Sequence, residues 1–374
     1  MEQKEYTRSD TAGLDLLPDR ARKGRGAVGN PTGRYEREIR QAIDDGWGTA
    51  NPLAGDPPPL KTTVTVDNSR TVIARNTSPD ISFDRSINAY RGCEHGCVYC
   101  YARPTHAWMG LSPGLDFETK LFAKPNAPEL LRAALAARTY ECAPIAMGTN
   151  TDPYQPIERD YRITRKLLKI LDECSHPVTI VTKSALVLRD IDILSRMAAR
   201  NLVTVSLSVT TLERGLSRRM EPRAATPVRR LEAISALAQA GIPAAVMAAP
   251  MIPALNDHEM ESILAAAAQA GASEAGYILL RLPLEIKALF TEWLETHKPD
   301  KARHVLSLVR QTRGGELYKA KFGERMKGEG PYAALLKGRF DAACRRLALN
   351  ERTLDLDTDS FVRPIEDTRQ LSLL

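Results

Sequence analysis

From residue 86 onward, short apolar runs rich in β-branched residues alternate with longer segments of helical period. That rhythm constrains the fold more than any other feature of the chain. The runs are "INAYRG", "PIAMGT", "VTIVTK", "VTVSLSV", "PAAVMAAP" and "AGYILLRL". Between them lie "APELLRAALAAR", "ITRKLLKILDE", "LRDIDILSRMAAR", "PVRRLEAISALAQAG" and "NDHEMESILAAAAQAG". Two of these helical segments close on Gly241 and Gly271, where a left-handed cap suits glycine. Strand–helix alternation of this kind predicts an α/β protein with a parallel sheet and helical crossovers. Six strands are too few for a closed eight-stranded barrel. An open, partial (β/α)6 barrel fits, and a doubly wound sheet also satisfies the count.

The rhythm bounds the domains. Residues 1–80 form an N-terminal extension, basic and rich in Gly and Pro; "RARKGRGAVGNPTGR" (residues 20–34) holds five basic residues and four glycines. It reads as a solvated or wrap-around arm, or as an arm whose amides and guanidiniums contact phosphate. Residues 81–285 carry the β/α core, residues 286–350 read as a C-terminal helical extension, and residues 351–374 as a polar tail. The longest apolar stretch, "AISALAQAGIPAAVMAAPMIPAL", is broken by Gly241, Pro243, Pro250 and Pro253, so no membrane span is expected. With no apolar run near residue 1, a cytoplasmic protein follows.

In a reducing compartment, clustered cysteines point to a metal site or to catalysis. "RGCEHGCVYCYAR" places Cys93, Cys97 and Cys100 within eight positions, directly after the first run of the series. Gly92 and Gly96 give the backbone freedom a wrapping loop needs. Three thiolates on one loop, with the next cysteine (Cys142) 42 residues on, suit an iron–sulfur cluster with one iron left open. The competing reading is a zinc site that adds His95 to the three cysteines. All four ligands would then crowd into one loop, a poor fit to a tetrahedral structural site.

C-x3-C-x2-C with an aromatic residue, Tyr99, before the last cysteine resembles the signature loop of the radical S-adenosylmethionine (radical SAM) enzymes. The resemblance implies a partial (β/α)6 barrel holding a 4Fe–4S cluster on Cys93, Cys97 and Cys100. It also implies S-adenosylmethionine chelated at the open iron and reductively cleaved to a 5′-deoxyadenosyl radical that abstracts hydrogen from a substrate. An electron donor such as flavodoxin or ferredoxin is implied as a partner.

"CVYCYARPTH", "TKSALVLRDIDIL" and "GTNTDPYQPIE" look like the spore photoproduct lyase branch and its bacterial relatives. In a parallel barrel, ligand groups come from the C-terminal ends of strands. Gly148, Thr149, Asn150, Thr151 and Asp152 occupy such an end, as a cofactor-binding turn or as a simple cap on the next helix. Lys183 ends the third run in a "TK" context that resembles the lyase lysine, a point charge for the cofactor carboxylate. Ser206 and Ser208 share one face of the fourth run, interior if Val205, Leu207 and Val209 face the helices. Tyr99 and Tyr101 flank Cys100, as do tyrosines that pass a hydrogen atom in the lyase branch; they could equally pack against adenine and the loop. One departure is plain: where the lyase carries its hydrogen-donating cysteine, this chain has Thr149 and no thiol.

Net charge is +6, from 52 basic and 46 acidic residues. "LERGLSRRMEPRAATPVRR" adds an Arg-rich loop, and "RQTRGGELYKAKFGERMKGEGPY" interleaves Tyr318, Phe322 and Tyr332 with basic residues. Such surfaces suit a nucleic acid, though the second loop could instead close the barrel's open side. The alternative to a radical enzyme is therefore a non-catalytic, metal-stabilised nucleic-acid-binding protein. Cys174 and Cys344, on helical patterns, read as buried thiols.

Overall fold

The computed structural model describes residues 19–36, 59–351 and 355–364; the rest of the N-terminal extension and of the tail lies outside the described residues. Ten strands form two sheets: β1 (Thr63–Val66), β2 (Ile73–Arg75), β3 (Arg85–Ile87), β4 (Tyr90–Arg91), β5 (Lys120–Ala123), β6 (Ile145–Met147), β7 (Val178–Thr182), β8 (Val203–Ser208), β9 (Ala244–Met251) and β10 (Glu274–Leu279). The larger sheet runs β10-β9-β8-β7-β6-β3-β2. Its six strands from β3 to β10 pair in parallel, while β2 pairs antiparallel to β3 at the edge. The smaller sheet is β1-β5-β4.

Helices cross over between the parallel strands. The early ones are α1 (Asp116–Thr119), α2 (Ala127–Ala136), α3 (Glu158–Tyr161), α4 (Ile163–Glu173) and α5 (Ile191–Ala198). They are followed by α6 (Arg214–Met220), α7 (Pro227–Gln239) and α8 (Met260–Gln269). The core between sheet and helices follows from periodicity. In α4, Ile163, Leu167, Leu168, Ile170 and Leu171 form one buried stripe, and β7 buries alternate residues. Gly241 and Gly271 adopt positive φ just past α7 and α8, as their sequence positions predict.

Edge strands β2 and β10 do not pair with each other, so the partial barrel is open. A loop between α10 (Pro299–Gln311) and α11 (Gly330–Arg346) bridges the gap; α9 (Ile286–His297) precedes them. At one end the Leu279 amide donates to the Met326 carbonyl at 2.9 Å. At the other, the Gly323 amide and Arg325 Nε both bond the Asp80 carboxylate, in the β2–β3 connection. The Gly-rich basic segment thus closes the open side.

Two extensions pack onto the core. The segment 25–29 is buried, and the arm makes specific internal bonds rather than lying in solvent. The segment 355–364 docks: Val362 donates to the Cys174 carbonyl, Asp357 to the Asn201 carbonyl, and the Phe361 ring packs against Tyr140 and His176. No helix among the described residues is long and apolar enough to cross a membrane.

Candidate active site

The chain leaves the large sheet at Ile87, enters the small one at Tyr90, and then forms the cysteine loop over residues 92–102. This loop sits beyond the C-terminal ends of the parallel strands. Its backbone is held by partners distant in sequence. Cys93 donates to the Phe117 carbonyl (3.0 Å), Val98 to Met220 (3.0 Å), and Arg223 returns a bond to the His95 carbonyl (3.3 Å). Gln155 clamps the loop with both amide atoms, accepting from the Glu94 amide and donating to the Gly92 carbonyl.

A buried ion pair braces the loop from below. The Arg103 guanidinium donates to the carbonyls of Gly96, Cys97, Pro113 and Gly114 and pairs with Glu118 at 2.5 Å. Glu118 in turn accepts the amides of Gly26 and Ala27, at 2.9 and 2.8 Å, so the arm is strapped across the loop. At Gly26 a Cβ would lie 1.7 Å from the Gly96 carbonyl oxygen; only glycine permits that approach. Arg25 donates to the carbonyls of Glu118 and Leu60. The arm of residues 20–34 is a wrap-around strap, and Arg25 serves the protein rather than an outside phosphate.

The three cysteines share one loop. Cys93 and Cys97 are buried and Cys100 is half-buried. Burial pushes all three thiols up; for Cys93, Asp152 and then the other two thiols add to it. Lys183 opposes the rise at Cys97 and Cys100. Thiols that burial disfavours as bare thiolates are a donor set for a cationic iron centre, which stabilises the deprotonated form. Among the described residues no group of three or more His, Cys, Asp or Glu is placed to hold a single metal ion. His95, the extra ligand of the zinc reading, instead faces Asp152 (Nδ1 to Oδ2, 3.2 Å).

"GTNTDPYQPIE" does two jobs. Gly148 has φ +90°, and a Cβ there would meet the Val181 carbonyl at 1.9 Å, so the β6–β7 crossing requires glycine. Asn88 accepts the amides of Asn150 and Thr151, and the Thr151 hydroxyl donates to the Tyr90 carbonyl. Asp152 accepts the Thr182 hydroxyl (2.7 Å) and the Tyr154 and Lys183 amides. Burial would raise Asp152, but His95 and these donors bring it down to about 2. Thr151 and Asp152 are therefore spent inside the protein, tying the ends of β6 and β7 to the cysteine loop. The Thr149 carbonyl accepts from the Tyr101 hydroxyl.

The remaining candidates divide. Tyr99 is buried, and its hydroxyl bonds Glu221 and Thr210. Glu221 is held by Arg230 and by the Thr210 hydroxyl, and burial raises its pKa despite the Arg230 charge. Lys183 lies with Nζ 5.8 Å from the Tyr99 ring centroid and 3.9 Å from Glu221, too far for a hydrogen bond. Burial, offset by Cys97, lowers its pKa. Ser206 and Ser208 lie on the face of β8 opposite buried Val205, Leu207 and Val209, and neither side chain has a hydrogen-bond partner among the described residues. Cys142 precedes β6 at its far end, and Cys174 and Cys344 are in the core.

Sequence reasoning missed Glu118, Gln155 and Glu221, whose partners are far away in the chain and leave no local pattern. It also passed over Arg281, two residues beyond β10, which its position at a strand's C-terminal end could have flagged.

The model of the radical SAM superfamily matches residues 87–267, from the end of β3 into α8. An uncharacterised protein of Mycobacterium tuberculosis is 32% identical over 293 residues, 77% of this chain and 82% of that protein. The chain belongs to the radical SAM superfamily. It is an enzyme of that class, whose cofactors are a 4Fe–4S cluster and S-adenosylmethionine, and the non-catalytic alternative is set aside. An uncharacterised protein of Methanocaldococcus jannaschii is 32% identical over 173 residues, 46% of this chain and 62% of that one. Among solved structures, spore photoproduct lyase complexed with dinucleoside spore photoproduct superposes with a TM-score of 0.54 at 18% identity, covering 76% of this chain and 79% of the lyase. A variant of that lyase with bound AdoMet and the same dinucleoside gives 0.53 at 17%, with the same coverage. At such identity the likeness is one of fold, and it supports the partial barrel.

Proposed function

We propose that this radical SAM enzyme holds its cluster on Cys93, Cys97 and Cys100 and acts on a nucleic acid or another nucleotide-bearing substrate. The observation that carries the site is the C-x3-C-x2-C loop, which holds Cys93 and Cys97 buried and Cys100 half-buried beyond the C-terminal ends of the parallel strands. Bound together, the two cofactors supply one-electron cleavage of a sulfonium and hydrogen abstraction from the substrate.

The chain's residues bind and orient. Lys183 is a desolvated cation beside the thiols with no hydrogen-bonded carboxylate, suited to the carboxylate of S-adenosylmethionine. Ser206 and Ser208 offer free hydroxyls from β8, and the backbone at Gly148, Thr149 and Asn150 offers polar groups at the end of β6. Tyr99 is a positioning residue, locked to Glu221 behind the loop. Tyr101, 46% exposed, is the tyrosine open to a substrate. A nucleotide-bearing substrate is favoured by the net charge of +6 and by exposed Arg214, Arg218 and Arg219 on α6. The dinucleoside in the structurally similar lyase supports the same class. Photoproduct repair is not the proposed reaction, because Thr149 offers no thiol to return a hydrogen atom. The reading expects a cytoplasmic enzyme reduced by a flavodoxin- or ferredoxin-type donor.

The test is anaerobic purification, iron and sulfide analysis, and chromatography for 5′-deoxyadenosine after reduction with S-adenosylmethionine. Alanine at Cys93, Cys97 or Cys100 is expected to abolish iron binding and product, whereas alanine at Cys142 preserves both. Iron loss in the Cys142 variant would show a fourth thiol closing the cluster.

A further inference from the structure

Arg281 stands at the rim of this site without an ion pair among the described residues. Its Cζ lies 5.2 Å from the centroid of the Tyr101 ring, one residue from Cys100. Nη1 reaches only the Met326 sulfur at 3.3 Å, and Nε is buried with no partner. No carboxylate pairs with it among the described residues.

Its neighbours make the charge harder to explain by internal needs. Arg313, 1% exposed, donates to the carbonyls of Glu324, Leu279 and Leu280 and also has no carboxylate partner; its Nε too is unpartnered. Burial first, and Arg281 next, push Arg313 down to about 10, so the two guanidiniums repel each other. The carboxylate whose field includes Arg281 is Asp80, and both its oxygens are taken, by the Gly323 amide and by Arg325. Glu324 and Glu329 on the closing loop are matched by Lys319 and Lys321. Arg281 and Arg325 therefore share Asp80, and the carboxylate nearest in effect to Arg313 is Glu329, itself paired with Lys319. A protein keeps such an excess where an outside anion completes it, and a guanidinium fork matches a phosphate bidentately. Beneath it, the exposed Tyr101 ring is a stacking face of the kind that nucleotide sites pair with arginine.

We infer that Arg281, backed by Arg313, is the subsite that holds a phosphate group of the substrate above the Tyr101 ring. This rests on the nucleotide-bearing substrate proposed above. The subsite sits at the open seam of the barrel, where the closing loop meets β10, and it sets which part of a substrate can approach the cysteine loop.

The experiment compares wild type with Arg281→Gln and Arg281→Lys. Binding of a labelled single-stranded DNA dodecamer is followed by fluorescence anisotropy across a salt series, beside the same sequence with neutral methylphosphonate linkages. Arg281→Gln should bind the charged strand about 10-fold more weakly, with a salt slope lower by about one, and the neutral strand as wild type does. Arg281→Lys should fall between, because it keeps the charge and loses the fork. Circular dichroism and iron content verify folding, and if the Gln variant is unfolded the Lys variant carries the comparison. Equal affinity and slope in wild type and a folded variant would overturn the inference. Thermal stabilisation by pyrophosphate separates it from the parent reading. If wild type binds no strand but pyrophosphate raises its unfolding temperature only while Arg281 is present, the phosphate subsite stands and the nucleic-acid reading falls. If neither probe binds wild type, the subsite falls.

Discussion

Replacing Glu118 tests whether the strap and the cysteine loop form one unit. Glu118 and Arg103 are both fully buried and paired at 2.5 Å. Glu118→Leu leaves the Arg103 charge without a counter-charge and strands the amides of Gly26 and Ala27. Breaking a buried pair from one side costs about 3–5 kcal/mol, and the amides add to it unless the arm lifts away. A value of about 4 kcal/mol, at about 2 °C per kcal/mol for a protein of this size, lowers the unfolding midpoint by about 8 °C. Arg103→Met alone should cost a similar amount, since a buried carboxylate then keeps only amide donors. The double variant removes both charges, so its loss should fall several kcal/mol short of the sum. The assay is thermal unfolding of iron-free protein by circular dichroism at matched scan rates, with iron retention measured in parallel. Iron retention should drop in both single variants, because Arg103 holds the carbonyls of Gly96 and Cys97. Strict additivity, or a midpoint within 2 °C of wild type for Glu118→Leu, would show that the pair carries neither stability nor loop geometry.

Two further expectations come from the same contacts. Gly26→Ala forces a Cβ to within 1.7 Å of the Gly96 carbonyl, so the arm should undock. Limited proteolysis should then cut near residue 26 faster than in wild type; an unchanged digestion pattern would refute the tight approach. His106 and His176 are held neutral. His106 Nε2 faces the Lys120 carbonyl, and His176 lies between the Pro177 carbonyl and the Tyr140 hydroxyl. Burial brings each from 6.5 to about 4. Between those values the unfolded chain takes up a proton that the native state refuses, so stability is intact above pH 6.5 and falls as pH drops toward 4. The full loss is about 3 kcal/mol per histidine. Denaturant titrations at pH 7 and 4.5 should show it, and His176→Gln should flatten the dependence; an equal slope in the variant would count against burial as the cause.

What was legible in the sequence was what local periodicity encodes. The parallel strands β6 to β10, their crossover helices and the glycine caps follow from spacing within about 15 residues, and the cysteine triplet is shorter still; the first run was misplaced, since only its Ile87 lies in β3 and Tyr90–Arg91 pair in the small sheet. The closure of the barrel was open in the sequence, because Asp80 and Arg325 stand 245 positions apart. The strap was open for the same reason: Gly26 and Glu118 are separated by 92 residues, and nothing in "GRGAV" names its acceptor.

Arginine was the residue most easily misjudged. Counted as charge, the 52 basic residues suggest a surface for an anionic polymer. In the fold, Arg25, Arg103, Arg230 and Arg313 are buried, and each donates to backbone carbonyls: at the strap, at the cysteine loop, at the end of β8, and where the closing segment meets β10. A guanidinium has five donors and no acceptor, so it can satisfy several carbonyls where chain segments meet without a ladder. Part of the basic complement is therefore internal scaffolding, so the net charge supports an outside anionic partner only alongside residues placed at the site. Once those arginines are accounted for, a guanidinium left over at the mouth of the barrel says more about the substrate than the total does. Arg281 is such a residue: among the described residues no carboxylate pairs with it, and the cysteine loop is one side chain away.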